Sequence, residues 1–172
     1  RLPLLADNYG HALLRGGEFK QARDVIKEAV DLSRAIHGEQ SPEVLPILMN
    51  YADSQAAVNN SGRQEKVYTQ ALEIAETNFG RNSPEYAGVA FRAGVRILER
   101  SGSDDGLRYL EDAYTIYSDL DGADSESAGL AAVAAGRVFV GEGRGPAALT
   151  ALSPLRSGRQ GGATTSTWRI IS

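Results

Sequence analysis

The chain has 172 residues, 42% hydrophobic and 23% charged, with a formal net charge of −4 and no cysteine. It is long and apolar enough to bury its own core, and the lack of cysteine excludes thiol catalysis, a thiolate zinc site and a disulfide framework. The acidic balance argues against a general nucleic-acid binder, and the absence of a spanning apolar run or a signal-peptide pattern predicts a soluble chain without membrane insertion, cytoplasm and periplasm both remaining open.

Taken in chain order, apolar periodicity and turn residues predict eight helices. The first covers 3–15 and closes at Arg15-Gly16-Gly17; the second covers 19–36 and ends in the loop His37-Gly38-Glu39-Gln40-Ser41-Pro42-Glu43. In that loop a glycine beyond the helix end can release the chain through a left-handed conformation. Ser-Pro-Glu then supplies an N-cap, a first-turn proline and an acid near the positive end of the next helix dipole. A third helix over 43–59 turns at Asn59-Asn60-Ser61-Gly62 into a fourth over 63–78, followed by Phe79-Gly80-Arg81-Asn82-Ser83-Pro84-Glu85, nearly a copy of the first loop. The fifth, over 85–100, turns at Ser101-Gly102-Ser103 into a sixth over 104–119. A weaker loop copy, Asp121-Gly122-Ala123-Asp124-Ser125-Glu126, leads to a seventh over 125–140. After Gly141-Glu142-Gly143 a short eighth helix is expected near 146–152, stopped by Pro154. Residues 157–167 read as a linker, and Trp168-Arg169-Ile170-Ile171 has strand-like residues.

The copies keep an interval of 42. Ala29, Ala71 and Ala113 share it, as do Ile26, Tyr68 and Leu110, and Leu32, Ile74 and Ile116, three sets that follow i, i+3, i+6 on one helix face. Gly38, Gly80 and Gly122 share it as well. Each copy is therefore one helical hairpin with a small residue at the centre of its apolar face, and stacking neighbours is what buries that face. The second copy departs: Asn59 and Gln64 stand where the first has Gly17 and Ala22, which predicts a displaced turn and helix start.

Sites for chemistry are scarce. His11 and His37 are too few for a metal centre without many distant carboxylates, and His37 falls at a helix C-terminus, where an imidazole complements the dipole. Asp119-Leu120-Asp121-Gly122-Ala123-Asp124 lacks the glycine position and final glutamate of a calcium loop. The glycines at 141, 143 and 145 precede Pro146 rather than a lysine and a hydroxyl, so no phosphate cradle is expected. No nucleophile elbow occurs. No catalytic residue, metal or cofactor is therefore expected, and the chain is read as a non-enzyme. Charge is uneven: eight acids between Ser103 and Ala128 face Arg108 alone, which suits a solvated helix face, while five arginines from Arg137 onward face only Glu142.

The run Gly10, Leu13, Gly17, Phe19, Ala22, Ile26, Ala29 resembles the tetratricopeptide (TPR) repeat, in which small and large apolar residues alternate across two antiparallel helices. The 42-residue interval with its extended loop is similar to the kinesin-light-chain type of that repeat. A fourth copy keeps Gly136, Phe139, Gly143, Ala148 and Leu152, so the resemblance covers residues 3 to about 152. It implies an all-α fold, a right-handed α-solenoid of stacked antiparallel helical hairpins. The array would span 1–153, with repeats of about 3–40, 41–82, 83–124 and 125–153, before a linker-like tail over 154–172. The last repeat is incomplete, so self-association through it is an expectation.

The interval of 42 also links Asn8, Asn50 and Arg92, one on each first helix, which should form a polar row flanked one turn further on by His11, Asp53 and Arg96. In the resembled family the first helices line a concave groove that receives an extended peptide or a partner helix. An asparagine at this place would then bond the ligand backbone, and Arg92 would grip a carboxylate. Asn50 and Arg92 are expected to be exposed and of little weight for stability. These six residues are the candidate partner-binding set, for a protein or peptide partner and not nucleic acid. The alternative is a structural or oligomerisation spacer, or the accessory repeat region of a larger bacterial envelope or signalling protein.

Overall fold

A computed structural model of the chain describes residues 2–101, 104–122 and 125–141, with side chains up to Ala134 apart from Ser101. Among these residues there are seven α-helices and no strand: α1 Leu2–Arg15, α2 Phe19–His37, α3 Leu45–Ala57, α4 Ser61–Phe79, α5 Pro84–Ser101, α6 Asp104–Asp121 and α7 Glu126–Gly141. Each falls within a few residues of its sequence expectation. The eighth helix, the end of the fourth copy from Gly143 to Pro154, the tail and the side chain of Phe139 lie outside the described residues.

Helices α1 and α2, α3 and α4, and α5 and α6 pack as hairpins, and each hairpin stacks on the next. First helices also meet one another, α1 on α3, α3 on α5 and α5 on α7, while α2, α4 and α6 scarcely touch each other. Close first helices and splayed second helices make a ribbon that curves with the first helices on its inner side. The result is a solenoid of helical hairpins with a continuous core.

The repeat interval sets that core. Ala29, Ala71 and Ala113 are completely buried, as are Ile26 and Tyr68, with Leu110 nearly so. In the third set Ile74 and Ile116 are buried and Leu32 is partly exposed. Helices α5 and α6 approach most closely where glycines face each other: a Cβ on Gly94 would lie 2.8 Å from the Gly106 carbonyl oxygen and 2.7 Å from Leu110 Cγ. Larger residues there would push the two helices apart.

The loops act as punctuation in most copies. Gly38, Gly80 and Gly122 have φ of 103°, 84° and 91°, positive values that glycine adopts without strain; at Gly38 and Gly80 ψ is 155° and 156°, so the chain is released past the helix end through extended glycine backbone rather than a left-handed turn. The Ser83 hydroxyl accepts from the Tyr86 N–H at 3.1 Å, and the Ser125 hydroxyl from the Ala128 N–H at 3.3 Å, as caps should. The first copy differs. Ser41 makes no side-chain cap; its hydroxyl donates to Glu43 instead, and Pro42–Val44 form a 3-10 turn before α3. Pro46 is the cause, since an α-helix begun at Pro42 needs an N–H at residue 46 that proline lacks. The Leu45 N–H bonds the Pro42 carbonyl in its place.

The displaced turn expected in the second copy is absent. Helix α4 begins 42 residues after α2, and Asn59 takes φ of 59° where Gly17 takes 81°. Asparagine is the residue other than glycine that enters the left-handed region most readily, so the substitution costs no register. Asn60 then caps α4 by accepting from the Arg63 N–H at 3.3 Å.

Candidate functional site

The inner side of the ribbon carries one polar network across three hairpins. The Arg92 guanidinium on α5 donates from Nη2 to Asn50 Oδ1 at 2.7 Å and to Asp53 Oδ2 at 2.7 Å, with Nε 3.3 Å from the same carboxylate oxygen. Asn50 in turn donates through Nδ2 to Asp7 Oδ2 on α1 at 2.8 Å. Asp53 accepts the Tyr68 hydroxyl from α4 at 2.6 Å, and Arg96 Nε lies 3.5 Å from its Oδ1. His11 Nε2 sits 3.9 Å from Asp7. First helices supply every member except Tyr68, because their inward faces are the ones that stacking brings side by side.

The two ends of the network are electrostatically unlike. At Arg92, burial alone would lower the pKa, but the hydrogen bond and charge of Asp53 outweigh it and hold the guanidinium further into its charged form. At Tyr68, burial and then the Asp53 carboxylate push the phenol far up, so it acts only as a donor. Asp7 has no such counter-ion in bonding contact. Burial raises its pKa, and the Asn50 amide, His11 and Arg92 offset that only in part. Its Oδ1 is buried with no hydrogen-bond partner among the described residues.

Five of the six expected residues, His11, Asn50, Asp53, Arg92 and Arg96, are joined in this network. Asn8 does not join them: it is exposed, and no hairpin among the described residues precedes α1 for it to reach back to, as Arg92 reaches Asn50. The expectation that Asn50 and Arg92 stand free in solvent is corrected. Both are partly buried and bonded to neighbouring hairpins, because equivalent side chains on stacked helices come within hydrogen-bond reach of one another. The sequence reading missed Asp7 and Tyr68. Asp7 could have been found from its i, i+4 spacing to His11, and Tyr68 from its being the only member of the Ile26, Tyr68, Leu110 set with a polar atom to satisfy. Among the described residues no three His, Cys, Asp or Glu side chains converge as a metal site requires, and no helix is long and apolar enough to cross a membrane.

The family model of the tetratricopeptide repeat matches residues 2–77. Clustered mitochondria protein homologs are similar over part of the chain: that of Aspergillus niger is 28% identical over 101 residues, 59% of this chain and 8% of the relative, and that of Aspergillus clavatus 25% over 111 residues, 64% and 9%. The chain thus spans under a tenth of those relatives. Among solved structures, BtubC (BKLC) of P. vanneervenii superposes with a TM-score of 0.72 at 22% identity, covering 99% of this chain and 69% of that one. A kinesin-light-chain-like array of nearly identical TPR-like repeats from Podospora anserina gives 0.71 at 13%, covering 88% and 72%. With the 42-residue interval, the stacked hairpins and these likenesses in hand, residues 2–77 match the tetratricopeptide repeat, and the fold of the chain is the helical-repeat solenoid of the kinesin-light-chain-like arrays.

Proposed function

We propose that this chain is a non-catalytic interaction module that receives an extended peptide or a partner helix along the inner face of its first helices. Arrays of this fold are in general protein-interaction scaffolds. The observation that carries the reading is the polar row that runs unbroken from Asp7 through Asn50 and Arg92 to Asp53. Its partners fix each side chain, so a ligand would meet a surface that is already ordered and loses little further entropy on binding. Within the row Arg92 and Asn50 act as the frame. The groups left to face a ligand are the more exposed His11, Arg96 and Asn8, with side-chain exposures of 40% and 50% for the first two.

The test is affinity capture with the folded chain, followed by titration of the captured partner against Arg96→Ala, His11→Ala and Asn8→Ala. Loss of a charge-assisted hydrogen bond should weaken binding roughly tenfold for Arg96→Ala, without a matching fall in Tm. A partner that binds all three variants like the parent would move the site off this face.

A second reading, a structural spacer, is supported by α1. Leu2, Leu5 and Tyr9 are 68%, 63% and 53% exposed, whereas their equivalents Val44, Ile47 and Tyr51 are buried in the stack. If this face is a stacking surface, Leu5→Asp should lower the apparent mass in sedimentation; if the parent is already monomeric, the spacer reading loses its support from self-association.

A further inference from the structure

Helix α1 leaves an apolar seam open, and the repeat shows what such a seam is for. Leu2, Leu5, Tyr9 and Ala12 are spaced i, i+3, i+7, i+10, and all four are exposed. Steps that alternate three and four residues hold side chains on one stripe, the seam along which two helices interlock. One interval on, the equivalents Val44, Ile47, Tyr51 and Ser54 are all buried, with α2 lying against their helix. Two intervals on, Tyr86, Val89 and Ala93 are buried, with α4 lying against theirs. Leu4 is 59% exposed but is off the seam, since its equivalent Pro46 is exposed within the stack as well.

Two observations bear on what covers the seam. It carries no charge: Asp7, the only acid of α1, is buried and bonded to Asn50, and Arg15 lies past the seam's end. Two copies of this face can therefore approach without opposing like charges. A head-to-tail continuation of the stack would instead need a full second helix from the fourth repeat, comparable to α2 and α4 with 19 residues each. The sequence provides none there, because Pro154 stands at the place of Glu28, midway along α2. The surface best matched to the seam is then the seam itself.

We propose that α1 is a two-fold self-association surface, on which α1 of a second copy lies antiparallel with its own Leu2, Leu5, Tyr9 and Ala12 interleaved. Antiparallel pairing also sets the two helix dipoles against each other favourably. The proposal rests on the spacer reading of this face, names what covers it, and puts self-association at the first hairpin rather than the fourth repeat. Four such side chains from each copy bury on the order of 1,000 Å² in all, the lower end of a specific interface, so the pair forms on concentration and separates on dilution.

The experiment uses the whole chain. Sedimentation equilibrium from about 1 µM to about 500 µM should show a monomer passing to a dimer. Leu5→Asp should weaken that dimer at least roughly tenfold, while Leu4→Asp, equally exposed but off the seam, should leave it unchanged. Both should melt like the parent at dilution, because neither side chain is buried in a single copy. The chain has no cysteine of its own, so Leu5→Cys and Tyr9→Cys chains can be mixed in equal amounts and oxidised with glutathione disulfide. Antiparallel pairing should give chiefly the mixed Leu5-to-Tyr9 disulfide. Mass that rises without disulfides between the two helices, disulfides chiefly between like variants, or equal weakening by Leu4→Asp would each overturn the pairing and leave the spacer reading standing. A parent that stays monomeric throughout would remove both.

Discussion

The two junctions between the first three hairpins are built on the same 42-residue interval yet are joined by different chemistry. At the first, Asn50 reaches back to a buried carboxylate, Asp7, that has no bonded cation; at the second, Arg92 reaches back to Asn50 and to Asp53, whose charge it neutralises. Beside the second junction lies a polar cavity lined by Asp53, Gln64, Arg96, Glu99 and Arg100 with Ala56, and beside the first the equivalent residues are mostly apolar. The interval dictates which side chains meet. Whether their meeting stabilises the stack or leaves a group in need of a partner depends on residue identity at a few places.

The apolar part of the junctions should dominate stability. Ile47 on α3 is 3% exposed while its equivalent Leu5 on α1 is 63% exposed, so the burial of Ile47 comes from the hairpin stacked before it. Ile47→Ala should cost about 2–5 kcal/mol in urea denaturation of the dilute chain, against less than about 0.5 kcal/mol for Leu5→Ala. Equal losses at the two sites would mean that α1 is covered in solution. Ala71→Leu, at a completely buried position on α4, should overpack the core and cost about 1–3 kcal/mol. A variant that melts with the parent would contradict the register on which both junctions rest.

Breaking the second junction's ion pair should come next. Arg92→Met keeps much of the aliphatic stem but leaves Asp53 with the Tyr68 hydroxyl and the more distant Arg96. The pair is partly exposed, so the loss should be about 1–2 kcal/mol rather than the larger figure for a fully buried pair. A double-mutant cycle with Asn50→Ala tests whether the two junctions are coupled through Asn50, which bonds to both; a coupling energy near zero would show that they are independent.

Most of the fold was legible from the sequence, because a hairpin repeat writes its core as a period: the alanines at 29, 71 and 113 mark the packed face in the first three copies. What could not be read was set by contacts between copies or by single residues. Asn59 replaces a glycine without shifting the turn, since left-handed backbone is open to asparagine. Pro46 converts the start of α3 to a 3-10 turn through a missing N–H four residues on, a detail that the loop match conceals. For the site, the period identified Asn50 and Arg92 as neighbours in space but gave no warning that they would bond to one another rather than wait for a ligand. Asp7 stayed hidden because its equivalents, Met49 and Phe91, are apolar, and only three-dimensional contact reveals that it completes the row.

The smallest expected effect is also the one that separates the junctions by sign. Asp7 titrates above its unfolded value because burial penalises its charge. Between the two values the folded chain holds the proton more often than the unfolded chain does, so stability from this group rises as pH falls through that window and is lost as pH rises through the folded value. At neutral pH the ionised Asp7 is therefore a net burden on the first junction. Asp7→Asn keeps an oxygen to accept from Asn50 and removes the charge; it should leave stability at pH 7 unchanged or raise it, by no more than about 1 kcal/mol, with the gain shrinking as the pH is lowered toward 4. Asp53→Asn, the same substitution at the second junction, deprives Arg92 of its counter-ion and should destabilise the chain at pH 7. Urea midpoints for the two variants at pH 7 and pH 4 decide the matter: two losses of similar size at pH 7 would show that Asp7 stabilises the stack as Asp53 does, and that the contrast between the junctions is not one of charge.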